Sequence, residues 1–179
     1  MKTLWNLRLL TAFAVSAVTA VPAALAQDAD WTPFSSREFQ FSVSFCSAPS
    51  KDPASVDTKG DLTATLNLFK AITDNYMCLV ALADYNRKPD VELELKLNET
   101  NFINAIKGTL GTSRRTEFVS RGEKLPALTF TYEMDPDFIG KAIVIIKGAR
   151  VYMLVFAYHK NKDYTASVGK FLNSFQITN

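Results

Sequence analysis

Three runs in this chain are apolar at almost every position: YMCLVALADY (Tyr76–Tyr85), FIGKAIVIIK (Phe138–Lys147) and RVYMLVFAY (Arg150–Tyr158). Each has the length of a strand and is dominated by apolar, β-branched or aromatic side chains. A strand with one wet face alternates apolar and polar residues, whereas one covered on both faces does not. The Tyr76 run therefore belongs in the middle of a sheet with material packed on either side. The last two runs are joined only by Gly148-Ala149, a tight link that makes them neighbouring strands deep in the same sheet.

The other segments are read against that requirement. Phe39, Phe41, Val43 and Phe45 alternate with Gln40, Ser42 and Ser44 and then meet Cys46, the period of a half-buried strand. Ala48 to Gly60 is rich in Ser, Pro, Asp and Lys and reads as a loop. Asp61 to Ala71 and Asn75 to Tyr85 form a hairpin turning at Asp74-Asn75. VELELKL alternates like a strand, yet its Glu, Leu and Lys are strong helix formers. Phe102, Ile103, Ile106 and Leu110 then recur at helical spacing. The reading is a helix over Thr100 to Leu110, with Val91 as an alternative start, Asn98 or Thr100 as its cap, and Gly108 or Gly111 as its stop. Strands follow at Arg115–Arg121, Ala127–Met134, Phe138–Lys147 and Arg150–Tyr158, connected by Gly122 to Pro126, Asp135-Pro136-Asp137 and Gly148-Ala149. Tyr164, Val168, Phe171, Leu172 and Phe175 make one stripe of a final helix that Asn161 or Asp163 can cap. The expected class is α+β: a largely antiparallel sheet of about seven strands flanked by two helices, in the order β-β-β-α-β-β-β-β-α.

The first 26 residues carry Lys2 and Arg8, a long uncharged apolar run and Ala24-Leu25-Ala26. This is the pattern of a secretory signal peptide cut after Ala26. It leaves one domain over residues 27–179, periplasmic or secreted, with no stable membrane insertion once the leader is gone. The formal charge of +2 comes from 20 basic and 18 acidic side chains. Without Lys2 and Arg8 the counts become 18 and 18, so no global field argues for nucleic acid. Residues 27–110 nevertheless hold 8 basic and 12 acidic groups, and residues 111–179 hold 10 and 6.

Export to an oxidising compartment lets Cys46 and Cys78 pair as a structural disulfide, with two buried free thiols as the alternative. His159 is the only histidine, which leaves at most one imidazole base and no multi-histidine metal site. It stands at the start of a Lys-rich loop, and no G-x-S-x-G elbow accompanies it. Glu133, Asp135 and Asp137 alternate through a turn and can offer oxygen to a hard cation, but the glycine and distal glutamate of a calcium loop are absent. Arg114, Arg115, Arg121 and Lys124 gather around one strand, where they suit either an acidic partner or a charged sheet edge. Asn98-Glu99-Thr100 fits a glycosylation sequon. With seven scattered glycines there is no phosphate loop, and no cofactor is expected.

The lead-in W-x-x-F (Trp31 to Phe34), the strand FSVSF running into a proline-bearing turn, the tyrosine-bearing VYMLVFAY and the terminal KFLNSFQI resemble, taken together from Trp31 to Ile177, the PsbP-like α/β/α sandwich. That family embraces extrinsic photosystem II proteins, Mog-type Ran-binding proteins and many small exported bacterial proteins. Cys46 stands where bacterial relatives commonly have proline. The resemblance implies a non-enzymatic accessory or binding protein whose partner is an envelope or extracellular protein. It transfers no site residues, because its motifs are core positions. Two alternatives are a small-ligand carrier lined by phenylalanine and a hydrolase-type enzyme using His159 or the Glu133 to Asp137 acids between sheet and helices.

Overall fold

The computed structural model describes residues 31–59, 61–134 and 137–178, so the expected signal peptide lies outside the described residues. In chain order the elements are β1 (Thr32–Ser36), β2 (Phe41–Phe45), β3 (Ser50–Lys51), β4 (Ser55–Lys59), β5 (Leu62–Ile72), β6 (Tyr76–Tyr85), α1 (Val91–Ile106), β7 (Thr109–Ser120), β8 (Glu123–Met134), β9 (Phe138–Lys147), β10 (Arg150–His159), α2 (Thr165–Ser174) and β11 (Gln176–Ile177). The three apolar runs become β6, β10 and β9, adjacent strands inside an antiparallel sheet ordered β3-β5-β6-β10-β9-β8-β7, with β4 also paired to β5. In the register, Tyr152 sits between Leu82 and Ile145.

Alternation then sends side chains to two separate cores. On one face α1 lays Leu95 and Phe102 on Phe130, Tyr132, Val144, Met153 and Val155. On the other, α2 and a three-stranded sheet β1-β2-β11 cover Cys78, Leu82, Tyr152, Leu154 and Phe156 with Phe41, Phe45, Phe171 and Phe175. Rings meet rings throughout this second core: Phe41 stacks on Phe175 at 5.8 Å between centroids, and Phe156 lies 6.0 Å from Phe171. Burying each such side chain contributes roughly 1.5–3 kcal/mol. The phenylalanines thus fill the interior.

The α+β class and the two flanking helices agree with the sequence reading, and several details differ. FSVSF is not in the main sheet; its partners are β1 and the C-terminal β11. Inside the expected loop of residues 48–60, β3 and β4 pair with β5. The helix begins at Val91, capped by Asp90, whose side chain accepts from the Leu93 amide at 2.9 Å. Asn98 and Thr100 are interior to it. It stops at Lys107, which takes a left-handed conformation with φ 52°. The strand expected at Arg115 starts six residues earlier, and the stretch read as a connector from Gly122 to Pro126 narrows to Arg121-Gly122. Both have positive φ, 50° and 83°, as a two-residue hairpin turn of the primed kind requires. Pro126 is tolerated within β8 because the ladder to β9 begins only at Ala127. At the far end the N-cap of α2 is Tyr164, without a side-chain capping bond, in place of the expected Asn161 or Asp163; the Asp163 carboxylate accepts from the Thr165 amide at 2.9 Å.

Two serines tie the second layer down. Ser174 Oγ donates to the Phe171 carbonyl and accepts from the Ser44 amide, fastening α2 to β2. Ser120 Oγ donates to the Ile177 carbonyl and accepts from its amide, fastening β11 to β7. Within the main sheet Gly140 pairs with Tyr132. A Cβ at Gly140 would drive into the Tyr132 ring and the Phe156 carbonyl, which makes glycine the residue that fits there.

Candidate functional site

The residues singled out in the sequence end up in different places. His159, at the end of β10, is half-buried with its ring 4.0 Å from that of Phe138. No serine or carboxylate hydrogen-bonds to its ring among the described residues. Glu133, near the end of β8, and Asp137, just before β9, are exposed, and Asp135 lies outside the described residues. No group of three metal-ligating side chains occurs among the described residues. The sequon asparagine, Asn98, is 1% exposed. Its Nδ2 is engaged with the Glu94 carbonyl at 2.9 Å and with Glu94 Oε1 at 2.7 Å, so the folded domain does not present it for glycosylation.

Cys46 and Cys78 do come together. Cys46 directly follows β2 of the small sheet, Cys78 is the third residue of β6, and both are buried. Their sulfur atoms are 2.6 Å apart, longer than a bond of about 2.03–2.05 Å, and both are free thiols in the structure. Burial pushes the Cys78 thiol far above its ordinary range, and its contact with Cys46 adds to that. The same contact lowers the Cys46 thiol against the opposing effect of desolvation. Cys46 Sγ in turn donates to the Ala71 carbonyl at 3.4 Å.

The basic group is the part of the sequence reading that the fold assembles on a surface. β7 is the last strand of the large sheet, so among the described residues no further strand pairs with its outer edge, and only Ser120 at its end is tied to β11. Alternation splits the adjacent arginines. Arg115 turns toward α1, where Nη2 meets Glu92 Oε1 at 2.9 Å and Nε reaches both carboxylate oxygens, while Nη1 donates to the carbonyls of Thr116 and Ala127 at 2.7 and 2.8 Å. It is a brace between helix and hairpin. Arg114 points to the opposite face, and Arg121 caps the turn. Both are exposed and make no ion pair among the described residues. Lys124 pairs with Glu117 at 3.1 Å. Beside them lies a depression of about 460 Å³ lined by Arg115, Thr116, Glu117, Lys124, Leu125 and Pro126. That lining holds no histidine, cysteine or serine. Both of its cations are already engaged, Arg115 with Glu92 and Lys124 with Glu117, and it holds no paired nucleophile and base.

Sequence reasoning missed one polar line. Glu94, Asn98 and Asn101 are buried along the inner side of α1. Glu94 accepts a short hydrogen bond from the Tyr85 hydroxyl, and Glu99, also buried, accepts from Ser113 Oγ and Lys96 Nζ. Tyr85 reaches in from β6 and Ser113 from β7, at opposite sides of the helix, so the two glutamates form no common site. The signal was the i, i+4, i+7 spacing of 94, 98 and 101, hidden because Glu and Asn are ordinarily exposed.

No family model matches this sequence, and no curated protein matches it. Among solved structures it is similar to the solution structure of cyanobacterial PsbP (CyanoP) from Synechocystis sp. PCC 6803, with a TM-score of 0.54 and 10% identity over 88% of this chain and 98% of that one. Likeness at that identity speaks for architecture alone, and on that ground the chain has a PsbP-like fold.

Proposed function

We propose that this chain is an exported, non-enzymatic accessory or binding protein of the cell envelope, and that it holds an acidic partner along the outer edge of the β7–β8 hairpin. The observation that carries the reading is the contrast between neighbouring arginines: Arg115 is consumed by Glu92 and two carbonyls, whereas Arg114 and Arg121 are left to solvent at a sheet edge that no further strand pairs among the described residues. Unpaired guanidinium groups are suited to bidentate capture of carboxylates. The excess of basic over acidic groups in residues 111–179 agrees in sign.

Edge charges also discourage strand-to-strand aggregation, and the test separates the two roles. A photo-crosslinking residue is placed at Val119, which is 57% exposed on β7 beside Arg121, and as a control at Val56, which is 68% exposed on β4 at the other side of the sheet. The full chain is then expressed in its native host. Adducts with one protein are expected at the hairpin and not at Val56. The charge-reversed pair Arg114→Glu and Arg121→Glu keeps a charged edge yet should lose the adduct. Equal labelling at both edges, or adducts that survive charge reversal, would overturn the proposal.

A further inference from the structure

We propose that Cys46 and Cys78 are an oxidative modification site: the two thiols close during folding into a disulfide that rivets the three-stranded sheet to the eight-stranded one and is then sealed from solution. The inference is independent of the hairpin reading. It rests on where the sulfurs sit. Cys46 is 1% exposed and Cys78 0%, and they meet across two layers that do not otherwise share a strand pairing. Cys78 is flanked in register by Ala71 on one side and Phe156 on the other, and Phe41, Phe45 and Phe69 belong to the same cluster. Among the described residues no cation acts on either thiol, whereas a reactive cysteine has one beside it. The packing suits a bond made once and kept.

The chemistry is thiol–disulfide exchange with an oxidant of the disulfide class, such as glutathione disulfide or a protein disulfide. One cysteine thiolate attacks a sulfur of that oxidant, forming a mixed disulfide and expelling one thiol. The second cysteine thiolate attacks the protein sulfur of the mixed disulfide, forming the Cys46–Cys78 bond and expelling the other thiol. Two electrons pass to the oxidant, its S–S bond is replaced by two S–H bonds, and the two protons come from the cysteines. With both sulfurs enclosed, the oxidant reaches them only before the small sheet docks, and a reductant reaches the finished bond only when the layers separate.

The test uses the full chain, denatured and reduced, then refolded with a glutathione redox mixture. After refolding, an alkylating reagent is added in denaturant without reductant. The expected product is lighter than the reduced chain by two hydrogens and takes no label. Exposed to a thiol reductant under native conditions, that product should lose its bond at least about 10³-fold more slowly than in denaturant, the factor by which a stable fold suppresses opening. Complete labelling of both cysteines would show that the pair does not close. Reduction of the folded protein as fast as the unfolded one would show that the bond is not sealed. The double variant Cys46→Ser, Cys78→Ser is not needed for either outcome, so a folding failure there leaves the test intact.

Discussion

At the scale of single residues, Glu94 shows how a buried charge-bearing group is kept in an otherwise apolar layer. It is 4% exposed, with Tyr85 and Asn98 as its donors, and the burial and the carboxylate together raise the Tyr85 hydroxyl above its ordinary range, burial being the larger cause. Removing the acceptor leaves the Tyr85 hydroxyl enclosed without a partner and takes from Asn98 Nδ2 one of its two acceptors, the Glu94 carbonyl remaining, at a cost of roughly 1–3 kcal/mol for an unsatisfied group. Glu94→Gln retains an oxygen in the same place. We therefore expect Glu94→Ala to lower the stability measured by urea unfolding by about 1–3 kcal/mol and Glu94→Gln to cost clearly less. Equal losses for the two variants would mean that the side chain acts by filling space and not as an acceptor.

Among the elements, α1 is held to the sheet by an apolar stripe, by the Tyr85–Glu94 and Ser113–Glu99 hydrogen bonds and by an exposed brace, Arg115 to Glu92. The ion pair is half-exposed, and such pairs contribute at most about 1 kcal/mol, so its effect should be local. Arg115→Ala is expected to speed amide hydrogen exchange in the first turns of α1, from Val91 to Leu95, while β6, β9 and β10 exchange as before; uniform acceleration across those strands would assign Arg115 a global role. The same element marks the limit of what sequence reveals. The doubly apolar β6, β9 and β10 were legible because no wet surface tolerates them. VELELKL was ambiguous because five of its residues face solvent or a half-buried flank and two face the core, a mixture that fits either period until Asp90 is seen to cap it. The hairpin turn at Arg121-Gly122 was misplaced because Pro126 is a stronger turn signal than an arginine in a left-handed conformation. The two-residue β11 and β3 carry too few side chains to show any period, and their attachment depends on Ser120 and on the partner strand. For the candidate site, the basic group was visible, but only alternation along β7 separates the committed Arg115 from the free Arg114.

For the whole molecule, one sheet serves two cores, and the question is whether the layers come apart together. Tyrosines report on both. Tyr85 and Tyr132 lie on the α1 face, and Tyr152 lies under the small sheet, where its hydroxyl donates to the Phe39 carbonyl at 3.2 Å. Burial raises all three above the ordinary tyrosine value, with the Arg150 guanidinium partly offsetting the rise at Tyr152. A group held neutral in the fold stabilises it fully below the unfolded value of about 10. That contribution is lost as the pH rises from there through the folded value, because the unfolded chain releases its protons first. The urea midpoint should accordingly hold steady with respect to these tyrosines near pH 8 and fall above about pH 10. If the central sheet couples the two cores, the late fraction of phenolate absorbance, the fraction belonging to these three side chains, will appear in the same transition as the loss of near-UV circular dichroism. Phenolate appearing in two separate steps would instead show α1 leaving the sheet while the second layer stays packed, and the cores would then be independent units sharing a wall.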